Sequence, residues 1–181
     1  MRFSTSLFTL AVAVVGVIAS PVVKRDAATI EADIATIGTQ ITVLNNAINA
    51  FTTGGTLAQG LAVHTASGKL DTAVKAATAA AAATPSLSED DGTTILNSVQ
   101  TLETGILTAL TNISGLKAKF TALPVGNLVA LVKADLNTLN ADTVAFENAL
   151  IALSPADLLD QANTIASNIN AGFASAQAAY A

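Results

Sequence analysis

The chain contains no cysteine among its 181 residues, so it holds no disulfide and no thiolate metal site. Tryptophan is also absent, and His64 is the single histidine. Any base or ligand built on imidazole therefore rests on one residue. Charged residues make up 12%, about half the usual share. Basic residues number 8 against 13 acidic ones, with no basic stripe to meet phosphates, so a nucleic-acid partner is not expected. Catalytic signatures are missing as well. There is no Gly-x-Ser-x-Gly elbow, and Gly54-Gly55 lacks the lysine and strand context of a phosphate loop. The carboxylates of Glu89-Asp90-Asp91 suit a solvated helix start better than an acid–base pair or a metal site. The expectation is a protein without catalytic residues, metal or cofactor.

The apolar share of 51% is largely alanine. Its most concentrated run, Leu7 to Ile18, follows Arg2, and Val17 and Ala19 at its end are small residues suited to the −3 and −1 positions of a cleavage site. Residues 1–19 thus read as a signal peptide, too short for a span of about 20 residues. Lys24-Arg25 closes a short propeptide, 20–25, and makes Asp26 the mature start. Residues 26–181 form one domain. Export without cysteine leaves core packing as its source of stability. The last residues, Ala174 to Ala181, lack the apolar tail of a GPI signal. The expected location is extracellular, with the protein either released or held loosely at a cell wall, without a lipid anchor.

Within that domain Ile30, Ile34, Ile37, Ile41, Leu44, Ile48 and Phe51 recur in steps of four and three. A strand would scatter them over two faces; a helix gathers them into one stripe. Helix one spans Ala27 to Phe51 and stops at Gly54-Gly55. Helix two runs from Thr56 to Ala83 with a thinner stripe, Leu57, Leu61, Leu70 and Val74, and ends in alanines. Helix three starts at Ser86 or Ser88 and carries Ile95, Val99, Leu102, Ile106, Leu110, Ile113 and Leu116 on toward Phe120. Helix four carries Leu128, Val132, Leu136, Leu139, Phe146, Leu150 and Leu153, with Thr143 in the same row. Ser154-Pro155 starts helix five, which bears Leu158, Ile165, Ile169, Phe173 and Tyr180. Short connections predict an all-α, antiparallel, up-down bundle of about five amphipathic helices.

Two features bear on function. The outward faces are rich in threonine, alanine and asparagine where charges are usual, so contact with an apolar surface costs little polar solvation. The alanine end of helix two faces bulky stripes elsewhere, so either backbones approach closely or an apolar space remains that suits an alkyl chain. Candidate lining positions are Ile37, Ile41, Leu44, Ile48 and Phe51 of helix one, and Val74 of helix two. Leu102, Ile106 and Phe120 add helix three, Leu136, Leu139 and Phe146 helix four, and Ile169 and Phe173 helix five. An antiparallel bundle sets Phe51, Phe120 and Phe173 toward one end and Phe146 toward the other, as core or as the mouth of a cavity. His64, between Leu61 and Ala66, reads as a surface or core-edge residue. Asn112-Ile113-Ser114 is a glycosylation sequon.

The order of these features resembles the fungal hydrophobic surface-binding protein A family, also called cell-wall galactomannoproteins. The resemblance lies in the leader and Lys24-Arg25, then Ile30-x3-Ile34-x2-Ile37-x3-Ile41-x2-Leu44 and Gly54-Gly55. It continues in the Thr- and Ala-rich second helix, Pro85-Ser86-Leu87-Ser88 and Leu153-Ser154-Pro155. It implies a secreted, non-catalytic bundle that adsorbs to hydrophobic surfaces or holds a fatty acid between its helices. It also implies recruitment of lipolytic enzymes of the cutinase or esterase kind. The alternative is a structural wall or matrix glycoprotein with a solid core and no ligand.

Overall fold

A computed structural model describes residues 27–124 and 127–181. The expected signal peptide and propeptide, with Ala19, Lys24 and Arg25, lie outside the described residues, as do positions 125–126. The stripe of helix one is buried along its whole length, Ile30 to Phe51, in α1 (Ala27–Gly54). That helix ends where Gly55 takes φ 64° and its N–H reaches the Phe51 carbonyl at 2.9 Å. A residue with a Cβ is strained in this left-handed conformation. Thr56 then caps α2 (Leu57–Ala82) through a reciprocal box with Gln59. At α3 (Glu89–Ser114) Ser88 is the cap: its Oγ accepts from the Asp91 N–H and donates to Asp91 Oδ2 at 2.7 Å.

The third helix does not run unbroken to Phe120. It stops at Ser114, turns at Gly115-Leu116 and resumes as α4 (Lys117–Thr121). Glycine weakens the helix there, and the Ser114 hydroxyl donates to the Leu110 carbonyl, a bond that bends helices. The turn seats Phe120 on Phe51 at 4.2 Å between ring centroids, with both rings fully buried. The helix-four stripe forms α5 (Leu128–Leu153). Ser154 does not cap the last helix as its sequence suggested. Its hydroxyl donates to the Leu150 carbonyl, closing α5, and Pro155 leads through a 3-10 turn (Ala156–Leu158) into α6 (Leu159–Ala179). No strand occurs among the described residues.

The long helices close a ring in which α1 packs on α2, α2 on α5, α5 on α6, α6 on α3 and α3 on α1. The bundle is up-down in sequence, but five is odd, so alternation fails around the ring and α2–α5, α3–α6 and α1–α3 run parallel. His64 on Asp135, Asp71 beside Asp142 through Lys75, and Asn45 on the Gly105 carbonyl mark two of these seams. One end is plugged. Phe51 and Phe120 stack there, the Tyr180 hydroxyl donates to the Ile113 carbonyl at 2.8 Å, and Lys119 reaches the Thr52 carbonyl. The opposite end gathers the start of α3, the end of α5 and the 3-10 turn.

The alanine end of α2 uses close approach rather than space. Ala77, Ala80 and Ala81 are wholly buried, while Ala79 is exposed. Ala77→Leu should therefore cost about 1–3 kcal/mol by overpacking, and Ala79→Leu should stay within about 0.5 kcal/mol of the parent. Chemical denaturation of the two variants checks this; equal stabilities would show that the seam is loose.

Candidate functional site: an apolar hollow on the bundle axis

Inside the ring, among the described residues, lie two apolar hollows of about 90 and 50 Å³. A single water needs about 10–15 Å³ on this scale. The larger runs toward the end formed by Gly92, Ile151 and Ser154; the smaller lies nearer the plugged end, against Val63, Ala109 and Ile113. Ile41, Leu70, Ile106, Leu139 and Phe173 line both and form the partition between them.

The candidate positions sort clearly. Ile37, Val74, Leu102, Phe146 and Ile169 line the larger hollow, and Leu44, Ile48 and Leu136 the smaller. Ile41, Ile106, Leu139 and Phe173 face both. Phe51 and Phe120 line neither, because their stacked rings form the plug instead of a mouth. Phe173, expected beside them, stands at the partition. Asn112 lies half-buried in the last turn of α3, away from both hollows.

The wall owes its looseness to α3. Between Leu96 and Ala109 that helix buries no residue, and Val99, Leu102 and Ile106 are half-buried against the larger hollow. On α5 the lining runs from Val132 to Ser154, about 33 Å of helix at 1.5 Å per residue. A bilayer's hydrocarbon core, two acyl chains deep, is about 30 Å. The axis is thus long enough for one extended acyl chain.

Polar groups are few and specific. Thr143, Glu147 and Ser154 are the polar side chains on the larger hollow among the described residues. Asn170 Nδ2 donates to Glu147 Oε2 at 2.9 Å, whereas Glu147 Oε1 is buried with no hydrogen-bond partner. Burial pushes the Glu147 carboxyl up to about 7, against the lesser pull of the Asn170 amide. On the smaller hollow Asp135 accepts from His64 Nδ1 at 2.9 Å, and burial raises its carboxyl despite that partner. His64 sits at the outer edge of the α2–α5 seam. Stripe counting missed Glu147, because an acid one position beyond Phe146 reads as surface. The available signal was its spacing four residues after Thr143, which puts both on the same face.

The arrangement is an apolar space with one carboxyl on each hollow, Glu147 on the larger and Asp135 on the smaller. Among the described residues no three His, Asp or Glu side chains gather as metal ligands, and no helix is long and apolar enough to cross a membrane.

A hollow all-α bundle of this kind defines a class of helical binding domains, and the comparisons agree. The profile of the hydrophobic surface binding protein A family matches residues 27–152. A crystal structure of AfMP4p in complex with palmitic acid is 35% identical, covers 86% of this chain and 100% of its own, and superposes with a TM-score of 0.80. Ligand binding domains 1 and 2 of the Penicillium marneffei MP1 protein, both complexed with arachidonic acids, share the fold. They are 17% and 21% identical, with TM-scores of 0.76 and 0.77, and each is covered almost completely, at 99% and 98%. They cover 86% and 88% of this chain. No curated protein sequence matches. The chain belongs to the hydrophobic surface binding protein A family.

Glu147 also couples fold stability to pH. Its carboxyl titrates near 4.5 when unfolded and near 7 when folded, so the folded chain holds the proton more tightly. The associated stability is complete below about pH 4.5 and is lost as pH rises through 7, by at most roughly 3 kcal/mol. Glu147→Gln should erase this slope, melting several degrees above the parent at pH 8 but level with it near pH 4.5. Thermal melts at the two pH values check it, and parallel pH profiles would contradict the burial of this group.

Proposed function

We propose that this protein is a non-catalytic, exported carrier that holds one fatty-acid-like chain along the bundle axis. The observation that carries this reading is the apolar lining shared by five helices, which is continuous but for the side chains of the partition. The palmitic acid complex of the 35%-identical relative supports it. A solid-core wall glycoprotein, the rival reading, calls for seams without such a space. Export would follow from the 1–19 leader and processing after Arg25. Asn112 would carry any N-linked sugar, clear of the axis.

A second mode, adsorption to hydrophobic surfaces, has its own support. Thr94, Thr101 and Thr108 form a row down the outside of α3, and each hydroxyl donates to the carbonyl four residues back, at 2.7–3.0 Å. Thr36, Thr39 and Thr42 do the same on α1. With their only donors satisfied by the backbone, these side chains present mostly methyl to the outside. Val43 and Leu61 are the exposed large apolar residues among those described, so adsorption would be broad and weak rather than a single patch. The recruitment of cutinase- or esterase-like enzymes that the resemblance implies would use the protein in this adsorbed state.

Ile106→Phe tests internal binding, since the ring fills space on both sides of the partition. Affinity for hexadecanoic acid, read by displacement of a fluorescent fatty acid, should fall at least tenfold with helicity unchanged. Unchanged affinity in a folded variant would overturn the reading.

A further inference from the structure

We propose that Glu147 is the head-group site of the axial hollow: its buried, unpartnered Oε1 meets the oxygen end of a single-chain carboxylic acid whose tail runs past Phe173 toward the plugged end. This rests on the carrier reading above and adds the chemistry and direction of the ligand.

The geometry singles out one group. Asn170 already donates to Oε2, so Oε2 is committed as an acceptor. A proton on the carboxyl therefore belongs on Oε1, which is buried with no partner in the protein, on a side chain that lines the larger hollow. A buried O–H without an acceptor calls for one from outside. An incoming carboxylate supplies it, and the two carboxyl groups share a single proton. Thr143, one turn earlier on the same face, stands beside the pair. Asp135, the acid on the smaller hollow, is a poorer candidate because both its oxygens lie within 3.1 Å of His64 Nδ1. Its place toward the plug also fits a tail less well when unpartnered than when paired, as it is here.

Nothing else charged competes at the site. Among the described residues no other ionisable side chain lines the larger hollow. From α6 the facing group is the neutral Asn170. On α2, Asp71 and Lys75 are engaged with each other and with Asp142 of α5. On α3, Glu103 accepts from Asn168 of α6. The lining residues of α1, Ile37, Ile41, Leu44 and Ile48, are all apolar.

A consequence separates acids from alcohols. A fatty acid carboxylate needs Glu147 protonated, whereas an alcohol can accept from the acid or donate to the carboxylate. Glu147 in the empty protein titrates near 7, so its protonated fraction drops about tenfold between pH 6 and pH 8.

The test measures the binding of hexadecanoic acid and hexadecanol to the full chain at pH 6 and pH 8, for the parent and Glu147→Gln. The parent should bind the acid about tenfold more weakly at pH 8, while the alcohol stays level. Glu147→Gln, whose amide donates at any pH, should bind the acid equally at both. An acid profile that is the same in parent and variant overturns the head-group assignment, provided the alcohol binds. If neither compound binds the parent, the carrier reading falls and this inference with it. Should the variant fail to fold, hexadecanoic acid labelled with 13C at its carboxyl decides the matter on the parent. A bound carboxyl that titrates together with Glu147 supports the assignment, and one that titrates like the free acid in water overturns it.

Discussion

Five helices in a ring cannot fill their own centre with short side chains. Packed helices stand about 8–10 Å apart. Four axes at about 9 Å spacing lie about 6 Å from the middle of a square; five at the same spacing lie about 8 Å from the middle of a pentagon. Each stripe here must reach that much further inward, and most of its members are isoleucine, leucine, valine and alanine. The void is thus a property of the count and the composition together. Filling it would take aromatic rings, and the phenylalanines that could serve are spent elsewhere. Phe51 and Phe120 close one end, and Phe146 and Phe173 stand in the wall.

That arrangement explains why the protein is firm in some places and loose in others. The α1 stripe and the wholly buried alanines of α2 bring two helices close and anchor the ring. The middle of α3 presents half-buried apolar residues to the axis and gives up packing that a solid core would supply. A cavity lining loses dispersion contacts on its open side, so the chain bears a cost in stability for its space. With no cysteine, that cost is offset by burial elsewhere and by any molecule that occupies the axis. The Glu147 carboxyl fits the same pattern: it is tolerable as a neutral acid and unfavourable as an anion.

Much of this was legible in the residues. The four-three spacing of Ile30 to Phe51 names a helix and its buried side without ambiguity, because seven large residues in register leave no other face. Most of the lining could be named too, since a residue on a stripe points to the axis whatever the ring size. The ends were less legible. Phe51 and Phe120 look like wall residues in one dimension and become a plug where α3 breaks at Gly115-Leu116 and the chain resumes as α4 with Phe120 on Phe51. Ser154 carries the signature of a cap and is instead taken up by the helix before it, where the Leu150 carbonyl lies within reach. Glu147 escaped notice because its meaning depends on which helix stands opposite, and Asn170 is 23 positions away.

The hollow gives the folded chain more volume than its atoms require. Unfolding lets water occupy that volume, so the system shrinks when the bundle opens. Compression therefore acts against the empty protein at its weakest point, and an occupant of the axis removes the advantage by taking up the same room. The same space makes the vacant form compressible, and a form with the axis filled would be the stiffer of the two.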